Sequence, residues 1–409
     1  MKKILQKILK ISAKLMFIRY KPKIIAITGS VGKTSTKDAI YVVLKKTFNV
    51  RKSEKSFNNE IGLPLTILGI SSSRKNIFLW ILNFIKIIFK FIWTSYPKIL
   101  ILEFGADKPN DMDYLLSIVR PDIVVVTAIG DVPAHVENYS SSADVVKEKT
   151  KLVKALSKNG VVILNADYDS VLSMQSKTKA KVITYGFSEN AKLRIHKLDT
   201  NEQESNISLG SSFKVEYDGS TVPIRLSVYG VPNIYASSAS CAVGLSLDMN
   251  LVNISEALIE YKPQRGRMTM LNGIKNSVIL DDSYNASPLS MKEALNSLKS
   301  IKAKRKVAVL GSMLEIGKYS EEAHREIGKI ASSFCKLIIT VGDQGKFIAE
   351  EVLKNGFKES ENLFIFNTSD ELSRKIKDFI KNDDLILFKG SRGIKLEVAI
   401  EEILNDSKN

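Results

Sequence analysis

The segment from Lys23 to Lys45 constrains the fold of this chain more than any other part of its sequence. Lys23 to Thr28 reads KIIAIT, an apolar run that predicts a buried strand, and the glycine-rich run GSVGKTST at 29–36 follows it directly. The next residues, Lys37 to Lys45, have a helical pattern. Strand, glycine turn, Lys-Thr and helix in this order are typical of a phosphate loop. The segment therefore predicts a parallel-sheet domain whose first crossover binds phosphates.

The phosphate loop supplies the first candidate ligands. Its nucleotide contacts are expected from Gly29, Gly32, Lys33, Thr34 and Ser35. In such a loop Lys33 reaches the β- and γ-phosphate oxygens and the Thr34 hydroxyl can bind Mg²⁺. The long GxxxxGK[ST] pattern asks for a glycine where Ile27 stands, so the chain matches the shorter GxxGKT form. The strand and the helix on either side favour a phosphate loop over a chance glycine turn.

Further apolar runs alternate with helical patterns and predict an α/β fold. We expect a central phosphate-loop domain with a parallel sheet over residues 21–261, including a strand-rich stretch at 192–228, and a smaller Rossmann-like domain over 262–409. The predicted strands are Lys23–Thr28, Ile99–Leu102, Ile123–Thr127, Val161–Leu164, Val278–Leu280, Val307–Leu310, Leu337–Val341 and Leu385–Phe388.

Two of these strands lead to residues suited to metal binding. The strand Ile99–Leu102 runs into Glu103, and an acid at the carboxyl end of a parallel strand lies where the metal partner of a phosphate loop belongs. The strand Ile123–Thr127 leads to His135. A lone histidine is more often structural than a ligand, but this position beside the phosphate site raises the expectation of a ligand.

The positive charge of the chain is concentrated near its N-terminus. The 409 residues carry 60 Lys and Arg against 44 Asp and Glu, for a net charge of +16. Residues 1–98 hold 20 of the basic residues and three of the acidic ones, whereas residues 99–409 are close to neutral. A nucleic-acid-binding protein spreads its charge more widely, so we expect no nucleic-acid partner. The two cysteines exclude a disulfide scaffold and indicate the reducing cytoplasm.

Residues 1–20 predict a basic amphipathic helix. Apolar side chains recur at helical spacing at Ile4, Ile8, Ile11, Leu15 and Ile18, and lysines occupy the opposite face. This pattern is typical of a helix that lies in a membrane interface. The alternative is a surface helix that packs its apolar stripe on the domain, and the sequence leaves both open.

The segment Ile77 to Trp93, within an apolar insertion at 71–98, predicts a second such helix. Its 17 residues would span about 25 Å, short of a hydrocarbon core of roughly 30 Å. Asn83, Lys86 and Lys90 form one polar stripe, and the lysines make a crossing expensive. We expect an interfacial helix with its lysines at anionic headgroups; the alternative is a core helix or an oligomer interface. Together the two segments favour an anionic membrane surface as partner and the inner face of the membrane as location.

A series of motifs follows in order along residues 23–400. They are ITGSVGKTSTK (27–37), SFNNEIGLPLTIL (56–68), ILEFGA (101–106), AHVENYSS (134–141), VVKEKTKLV (145–153), YKPQRGRM (261–268), DDSYNASPLSMKEAL (281–295), VLGSMLEIGKYSEEAHREIG (309–328) and KGSRG (389–393). In these motifs the chain resembles the Mur ligases, most of all the branch that adds D-alanyl-D-alanine. The resemblance implies an ATP-dependent ligase of peptidoglycan precursor synthesis, which joins a carboxylate to an amino acid or dipeptide amine through an acyl phosphate and a tetrahedral intermediate.

The resemblance also implies a metal and cofactor site. Thr34 and Glu103 would hold a first Mg²⁺, and Glu103 with His135 would help to hold a second. Lys149 aligns with a lysine that the family carbamylates and whose new carboxylate serves the second ion. The family's Lys-Gly-Glu reads Lys149-Thr150-Lys151 here, and without the resemblance Lys149 would pass as a solvated helix lysine. With Lys33 and His135, Lys149 completes the expected catalytic set.

Further contacts carry over by resemblance alone. The expected nucleotide contacts are Asn233, Arg267, Asp282 and Asn285, and the expected substrate contacts are Asn58, Asn59, Glu60, Lys389, Ser391 and Arg392. Without the resemblance, residues 58–60 would pass as a helix cap and residues 389–392 as a solvated turn. The family's GxHNxxN has Pro232 for its histidine and Ala236 for its second asparagine, so adenine recognition is expected to differ.

The largest expected departure from the family lies in the first quarter of the chain. The phosphate-loop strand starts near residue 23, which leaves no room before it for the family's N-terminal uridine-nucleotide-binding domain. Two alternatives to the leading interpretation follow. One is a ligase that acts at the membrane on a lipid-linked or otherwise different carboxylate, and the other is a non-catalytic, membrane-tethered nucleotide-binding scaffold.

Overall fold

A computed structural model describes residues 2–54, 57–72, 76–93, 95–200 and 210–405. Its larger sheet has nine strands in the order β2-β3-β1-β4-β5-β6-β7-β8-β9. These strands are β1 (Lys23–Thr28), β2 (Val50–Lys52), β3 (Ile99–Glu103), β4 (Ile123–Val126), β5 (Val161–Asn165), β6 (Lys181–Gly186), β7 (Leu193–Thr200), β8 (Ser211–Tyr217) and β9 (Ser220–Leu226). The first seven pair in parallel, and β8 and β9 continue the sheet as antiparallel hairpins.

Nine α-helices belong to the part of the chain that carries the larger sheet, counting described residues only. They are α1 (Lys2–Tyr20), α2 (Lys33–Leu44), α3 (Gly62–Leu68), α4 (Ile77–Trp93), α5 (Asp111–Leu116), α6 (Ser142–Lys154), α7 (Asp169–Leu172), α8 (Val231–Leu245) and α9 (Leu251–Leu258). Along β1, Ile25 and Ile27 pack on the side of α2 and α8, whereas Ile24 and Ala26 pack on the side of α1, α3 and α4. Burial on both faces explains why this strand reads as a continuous apolar run.

The smaller sheet has six strands in the order β10-β11-β15-β12-β13-β14, and β10 is its antiparallel edge. Its strands are β10 (Thr269–Asn272), β11 (Val278–Asp282), β12 (Lys306–Gly311), β13 (Leu337–Val341), β14 (Leu363–Phe366) and β15 (Leu385–Lys389). Its helices are α10 (Pro288–Ser300), α11 (Ser320–Ser332), α12 (Gly345–Lys354), α13 (Ser369–Ser373), α14 (Ile376–Phe379) and α15 (Glu397–Glu401). Val136, Val145 and Tyr229 of the larger domain pack into the core of the smaller one and hold the two together.

The α/β architecture with two sheets is confirmed, and so are the eight predicted strands. The strands that the sequence did not separate are β2, β6 to β9, β10 and β14, and they lie toward the edges of the two sheets. Residues 73–75 and 94 of the predicted insertion, and residues 201–209 of the strand-rich stretch, lie outside the described residues.

The first helix is confirmed, but it does not pack with the predicted stripe. Leu9, Ala13 and Met16 are fully buried against the domain. The side chains of the predicted stripe, Ile4, Ile8, Ile11, Leu15 and Ile18, are all exposed. Since α1 is apolar on two adjacent flanks, it packs one on the domain and leaves the other outside.

The helix α4 has the predicted bounds, but its polar stripe does not face outward as expected. The Asn83 side-chain amide donates to the Ser71 carbonyl at 3.0 Å, and the Lys90 amine donates to the Gly69 carbonyl. Both side chains therefore bond to the domain, and only Lys86 of the stripe is exposed. The expectation that the Lys90 amine faces lipid headgroups is wrong, because the amine donates to a backbone carbonyl that follows α3. Among the described residues, no helix is both long and apolar enough to cross a membrane.

Replacing Leu9 with Ala tests how α1 packs. We expect the free energy of unfolding to fall by about 2–5 kcal/mol, because the change leaves a cavity under α1. The matched control is Leu15→Ala, since Leu15 is 51% exposed, and its effect should stay within about 0.5 kcal/mol. Urea unfolding followed by circular dichroism measures both. Equal losses would show that α1 does not pack as described.

Candidate active site at the domain interface

The phosphate loop joins β1 to α2, and hydrogen bonds with the residues directly after β4 hold it in place. The Ser30 amide donates to the Ala128 carbonyl at 2.7 Å, and the Thr127 hydroxyl donates to the Val31 carbonyl at 2.6 Å. Gly29 has a φ of +140°, and a Cβ there would lie 2.0 Å from the Thr127 Oγ1. Only glycine fits this position, which lets the backbone come close to β4.

The loop opens onto the N-terminus of α2. Gly32, at a φ of 87°, caps this helix without a side-chain hydrogen bond. The Lys33 amine folds back to the carbonyls of Gly29 at 2.7 Å and Ser30 at 3.4 Å. The Ser30 hydroxyl is buried, and no hydrogen-bond partner for it exists among the described residues. A phosphate oxygen bound at this helix N-terminus would supply that partner, so the loop fits the phosphates of a nucleotide.

A second cation reaches the loop from the smaller domain. The Arg267 guanidinium donates to the Thr34 hydroxyl at 3.1 Å and lies 4.0 Å from the centre of the Tyr284 ring. Burial lowers the pKa of the Lys33 amine, the Glu103 carboxylate opposes this effect, and Arg267 adds to it. Two cations from two domains thus converge where the transferred phosphate would carry its charge.

Glu103, at the end of β3, is almost fully buried. The Thr34 hydroxyl donates to one of its oxygens at 3.3 Å, and the buried Lys37 amine pairs with the other at 2.8 Å. Mg²⁺ prefers oxygen ligands and often takes only one or two carboxylates from the protein, with phosphates and water completing its shell. The donor set of Thr34 and Glu103 therefore fits a phosphate-bound Mg²⁺. Among the described residues, no three His, Cys, Asp or Glu side chains form an all-protein metal site.

His135 lies at the boundary between the domains. One of its ring nitrogens lies 2.7 Å from a Glu315 carboxylate oxygen of the smaller domain, and the other lies 3.4 Å from Asp107. The described contacts of His135 do not include Glu103. Its role as a ligand of a second Mg²⁺ stays a prediction.

Lys149 is the buried lysine of the charged run on α6. Burial, and secondly the charge of Lys33, lower the pKa of its amine to about 7. Its neighbours on the helix differ, because Lys147 is exposed beside Asp144 and Lys151 pairs with Glu148 near the surface. Of these three lysines, Lys149 is the one that shares the environment of the phosphate loop.

A cleft with an empty volume of about 620 Å³ lies between the domains. Among the residues that line it are Gly32, Ser35, Arg267, Asp282, Asn285, Glu293 and Lys389. The Lys389 amine forms an ion pair with a carboxylate oxygen of Asp282 at 2.6 Å, and burial raises the pKa of the Asp282 carboxyl. Since the cleft is concave and brings cationic and polar side chains together beside the phosphate loop, it is suited to a nucleotide.

Asn233 is not among the residues that line this cleft. Its amide donates to the Tyr229 carbonyl at 2.8 Å and accepts from the Tyr261 hydroxyl at 3.0 Å. The side chain is buried and bonded within the protein. Asn233 therefore supports the start of α8, beside Pro232 of the cleft wall, rather than presenting its amide to the cleft.

The predicted substrate residues fall into two groups. In the loop before α3, the Asn58 carbonyl accepts from the Gly105 amide at 3.0 Å, the Asn59 side chain caps α3, and the Glu60 carboxylate accepts from Gln6 at 3.0 Å. This loop thus lies against the segment that follows Glu103.

The second group of predicted substrate residues follows β15. The Lys389 amine donates to the Asn285 carbonyl at 2.8 Å, and the Ser391 hydroxyl accepts from the Leu314 amide at 2.9 Å. Arg392 is exposed and pairs with Glu397 at 2.9 Å. Lys389 therefore belongs to the cleft, whereas the described contacts of Ser391 and Arg392 are with their own domain.

Sequence reasoning missed three residues of the site. Lys37 follows Lys33 by one helical turn, so its place on the same face of α2 could have been inferred. Thr127 carried no signal beyond its strand. Glu293 lines the cleft and accepts from the Tyr168 hydroxyl at 2.7 Å, and burial raises the pKa of its carboxyl to about 7. In the sequence it is one acid of an ordinary helix.

Comparison with known proteins agrees with this geometry. The Mur ligase middle domain matches residues 27–81 and 85–244, and the glutamate ligase domain of Mur ligases matches residues 266–392. The UDP-N-acetylmuramoyl-tripeptide–D-alanyl-D-alanine ligase of Bacillus subtilis is 29% identical over 384 residues, which cover 93% of this chain and 76% of the relative. The enzyme of the same name from Rickettsia prowazekii is 30% identical over 391 residues, covering 93% and 78%.

Solved structures show the same fold. The MurF ligase of Thermotoga maritima, solved in complex with ADP, superposes with a TM-score of 0.79 at 22% identity, over 97% of this chain and 83% of that one. The middle-domain match alone spans more than half of the chain, and its start coincides with the phosphate loop. The chain therefore belongs to the Mur ligase family of ATP-dependent ligases.

Proposed function

We propose that this protein is a MurF-type ligase that uses ATP to join a peptidoglycan-precursor carboxylate to the amine of a D-alanyl-D-alanine dipeptide or a similar amino acid. The observation that carries the proposal is the meeting of Lys33, Thr34 and Glu103 with Arg267 of the smaller domain. Such a cluster aligns and neutralises a γ-phosphate between two domains, which is what phosphoryl transfer requires.

The reaction proceeds in two steps. A carboxylate oxygen of the first substrate attacks the γ-phosphorus of ATP, the bond to the β-phosphate oxygen breaks, and ADP leaves with that electron pair. The amine then attacks the acyl carbon, and the tetrahedral intermediate expels inorganic phosphate as the amine loses its proton. Lys33 and Arg267 stabilise charge on the transferred phosphoryl group in the first step. The Ser30 hydroxyl and the amides that open α2 hold the phosphates in place.

Thr34 and Glu103 are proposed to hold the first Mg²⁺, with His135 and a carbamylated Lys149 serving a second. When bound, these ions screen the phosphate oxygens from the incoming carboxylate. The neutral Lys149 amine adds to CO₂ to give a carbamate and releases one proton. An amine whose pKa is about 7 is partly neutral at physiological pH, and this supports the modification.

Experiments can distinguish two alternatives to this proposed function. A lipid-linked carboxylate in place of a soluble nucleotide-linked one is the first, and the exposed apolar side chains of α1 and α4 favour it. The second is a nucleotide-binding scaffold without catalysis. The scaffold alternative is disfavoured because a scaffold does not need this set of residues together: Lys33, Thr34, Glu103 and a buried Lys149.

The location that we propose is the cytoplasm at the inner face of the membrane. The outward apolar side chains and the basic charge of residues 1–98 support it.

Phosphate release from ATP, measured with a panel of carboxylates and amines, tests the function. We expect release to require both a muramoyl-tripeptide carboxylate and D-alanyl-D-alanine, and the amide product to appear in equal amount. Single-substrate reactions are the controls. Nucleotide binding without phosphate release for any pair would favour the scaffold instead.

A further inference from the structure

The described surface has one concentrated apolar region. Thirteen of its eighteen exposed large hydrophobic residues belong to α1 and α4. We call these thirteen the outer face: Ile4, Ile8, Ile11, Leu15, Ile18, Phe78, Leu79, Ile81, Leu82, Ile85, Ile88, Phe89 and Ile92. Single exposed apolar side chains are normal on a protein surface, but a group of this size on two neighbouring helices marks an interaction site.

The two helices lie on one side of the molecule. Leu9 of α1 and Trp80 of α4 join the same core cluster on one face of the larger sheet. Their C-terminal ends also touch, because the Tyr20 hydroxyl donates to the carbonyls of Lys90 at 2.8 Å and Phe91 at 3.1 Å, and Arg19 lies 4.9 Å from the centre of the Phe91 ring. The outer sides of both helices therefore point away from the same sheet face.

The charge around this surface decides which partner fits it. Neither helix contains an Asp or a Glu, whereas exposed Lys7, Lys14, Arg19 and Lys86 stand beside the apolar side chains. A second copy of the chain would place like charges opposite each other. An anionic lipid surface takes up the apolar side chains at its acyl boundary and the lysines at its headgroups.

The same helix contacts the candidate substrate loop. Gln6 of α1 donates to the Glu60 carboxylate at 3.0 Å. The loop that holds Glu60 also holds Asn58, whose carbonyl accepts from Gly105, two residues beyond the metal-binding candidate Glu103. The N-terminal half of α1 thus lies beside the edge of the sheet at which the phosphate loop opens.

We propose that the outer face docks on an anionic lipid bilayer and so presents the loop at residues 57–61 to a carboxylate donor carried in that membrane. The docking step rests on the surface alone, while the second part rests on the proposed ligase function. Docking would replace a search for the donor through the cytoplasm by a search within the plane of the membrane.

Vesicle flotation of the full chain tests docking. We expect binding to phosphatidylcholine vesicles that contain phosphatidylglycerol, at least tenfold weaker binding to phosphatidylcholine alone, and a loss of binding as salt rises. The variant Ile8→Gln/Leu15→Gln/Ile85→Gln/Ile88→Gln should lose at least tenfold in binding. Its matched control is Val252→Gln/Ile259→Gln, which removes exposed apolar side chains elsewhere and should bind as the unchanged chain does.

Several outcomes would overturn docking. They are no binding to anionic vesicles, equal binding by both variants, or a stable dimer in solution that only the outer-face variant disrupts. Circular dichroism shows whether the variants fold, and the outer-face variant should keep the melting temperature of the unchanged chain because its changes are at exposed positions.

Ligase turnover tests the second part. The probes are UDP-N-acetylmuramoyl-tripeptide in solution and the same muramoyl tripeptide linked to a polyprenyl diphosphate in anionic vesicles. We expect the outer-face variant to lose at least tenfold in turnover of the vesicle-borne donor and to use the soluble donor as the unchanged chain does. Equal losses on both donors, or no preference of the unchanged chain for the vesicle-borne donor, would refute this part. Vesicle binding without turnover of either donor would instead refute the proposed ligase function and leave docking intact.

Discussion

Lys33→Ala should reduce acyl-phosphate formation by about 10²–10³-fold or more, while the chain stays folded. In the proposed reaction the Lys33 amine would contact the transferred phosphoryl group from within the loop. Arg267 would not replace it, because it approaches from the other domain and donates to Thr34. The variant should keep the circular dichroism spectrum of the folded chain, because the described hydrogen bonds of the Lys33 amine are to carbonyls of its own loop. Trapping of the acyl phosphate with hydroxylamine measures the chemical step directly.

The control for this variant is Lys46→Ala, which removes an exposed lysine just beyond α2 that pairs with Glu260. It should leave acyl-phosphate formation unchanged. A Lys33→Ala protein with full turnover would refute the phosphoryl-transfer mechanism, whereas a protein that fails to fold would be recognised by circular dichroism. Lys33→Arg then provides the second variant, because it keeps the charge but not the compact amine.

Lys149→Ala should lower ligase turnover by a similar factor. In the proposed mechanism a carbamate on Lys149 would supply a carboxylate at the phosphate site. Lys147 and Lys151 could not take over this role, since both pair with acids near the surface. Lys147→Ala is the matched control and should stay active. Added acetate should restore part of the lost activity, because a small carboxylate fits the space that the side chain leaves.

The proposed carbamylation of Lys149 predicts that ligase turnover depends on pH and on bicarbonate. Burial lowers the pKa of the amine to about 7, so the neutral form that reacts with CO₂ grows as the pH rises through 7. Stimulation by bicarbonate should therefore be weak near pH 6 and strong near pH 8. ¹³C NMR of protein kept in ¹³C-bicarbonate should show a carbamate signal that Lys149→Ala lacks. Activity in carefully CO₂-free buffer equal to that with bicarbonate would contradict the proposal.

The sequence predicted the inner strands of both sheets, because strands in these positions are buried on both faces. A strand such as Lys23–Thr28 shows its burial as an uninterrupted apolar run, and the structure starts and ends β1 at the same residues. The burial of Lys149 could also have been inferred from the sequence, because Val145 and Leu152 are its helical neighbours on one buried face of α6.

The orientation of α1 and the partners of His135 could not be predicted in this way. Two apolar flanks on α1 satisfy the same periodicity, and the choice between them depends on contacts with the domain that helical spacing does not encode. His135 meets Glu315 across the domain boundary, far along the chain. Such contacts follow from how the domains sit together, and local patterns carry no signal for them.

The pair of Lys37 with Glu103 has a consequence for the protein before it meets any nucleotide. A buried carboxylate without a partner is strongly destabilising, and many metalloproteins avoid this only by folding around their ion. Here an internal ammonium group already neutralises the acid, at 2.8 Å and shielded from water. Folding of this part of the larger domain therefore does not need a metal ion to neutralise the Glu103 carboxylate.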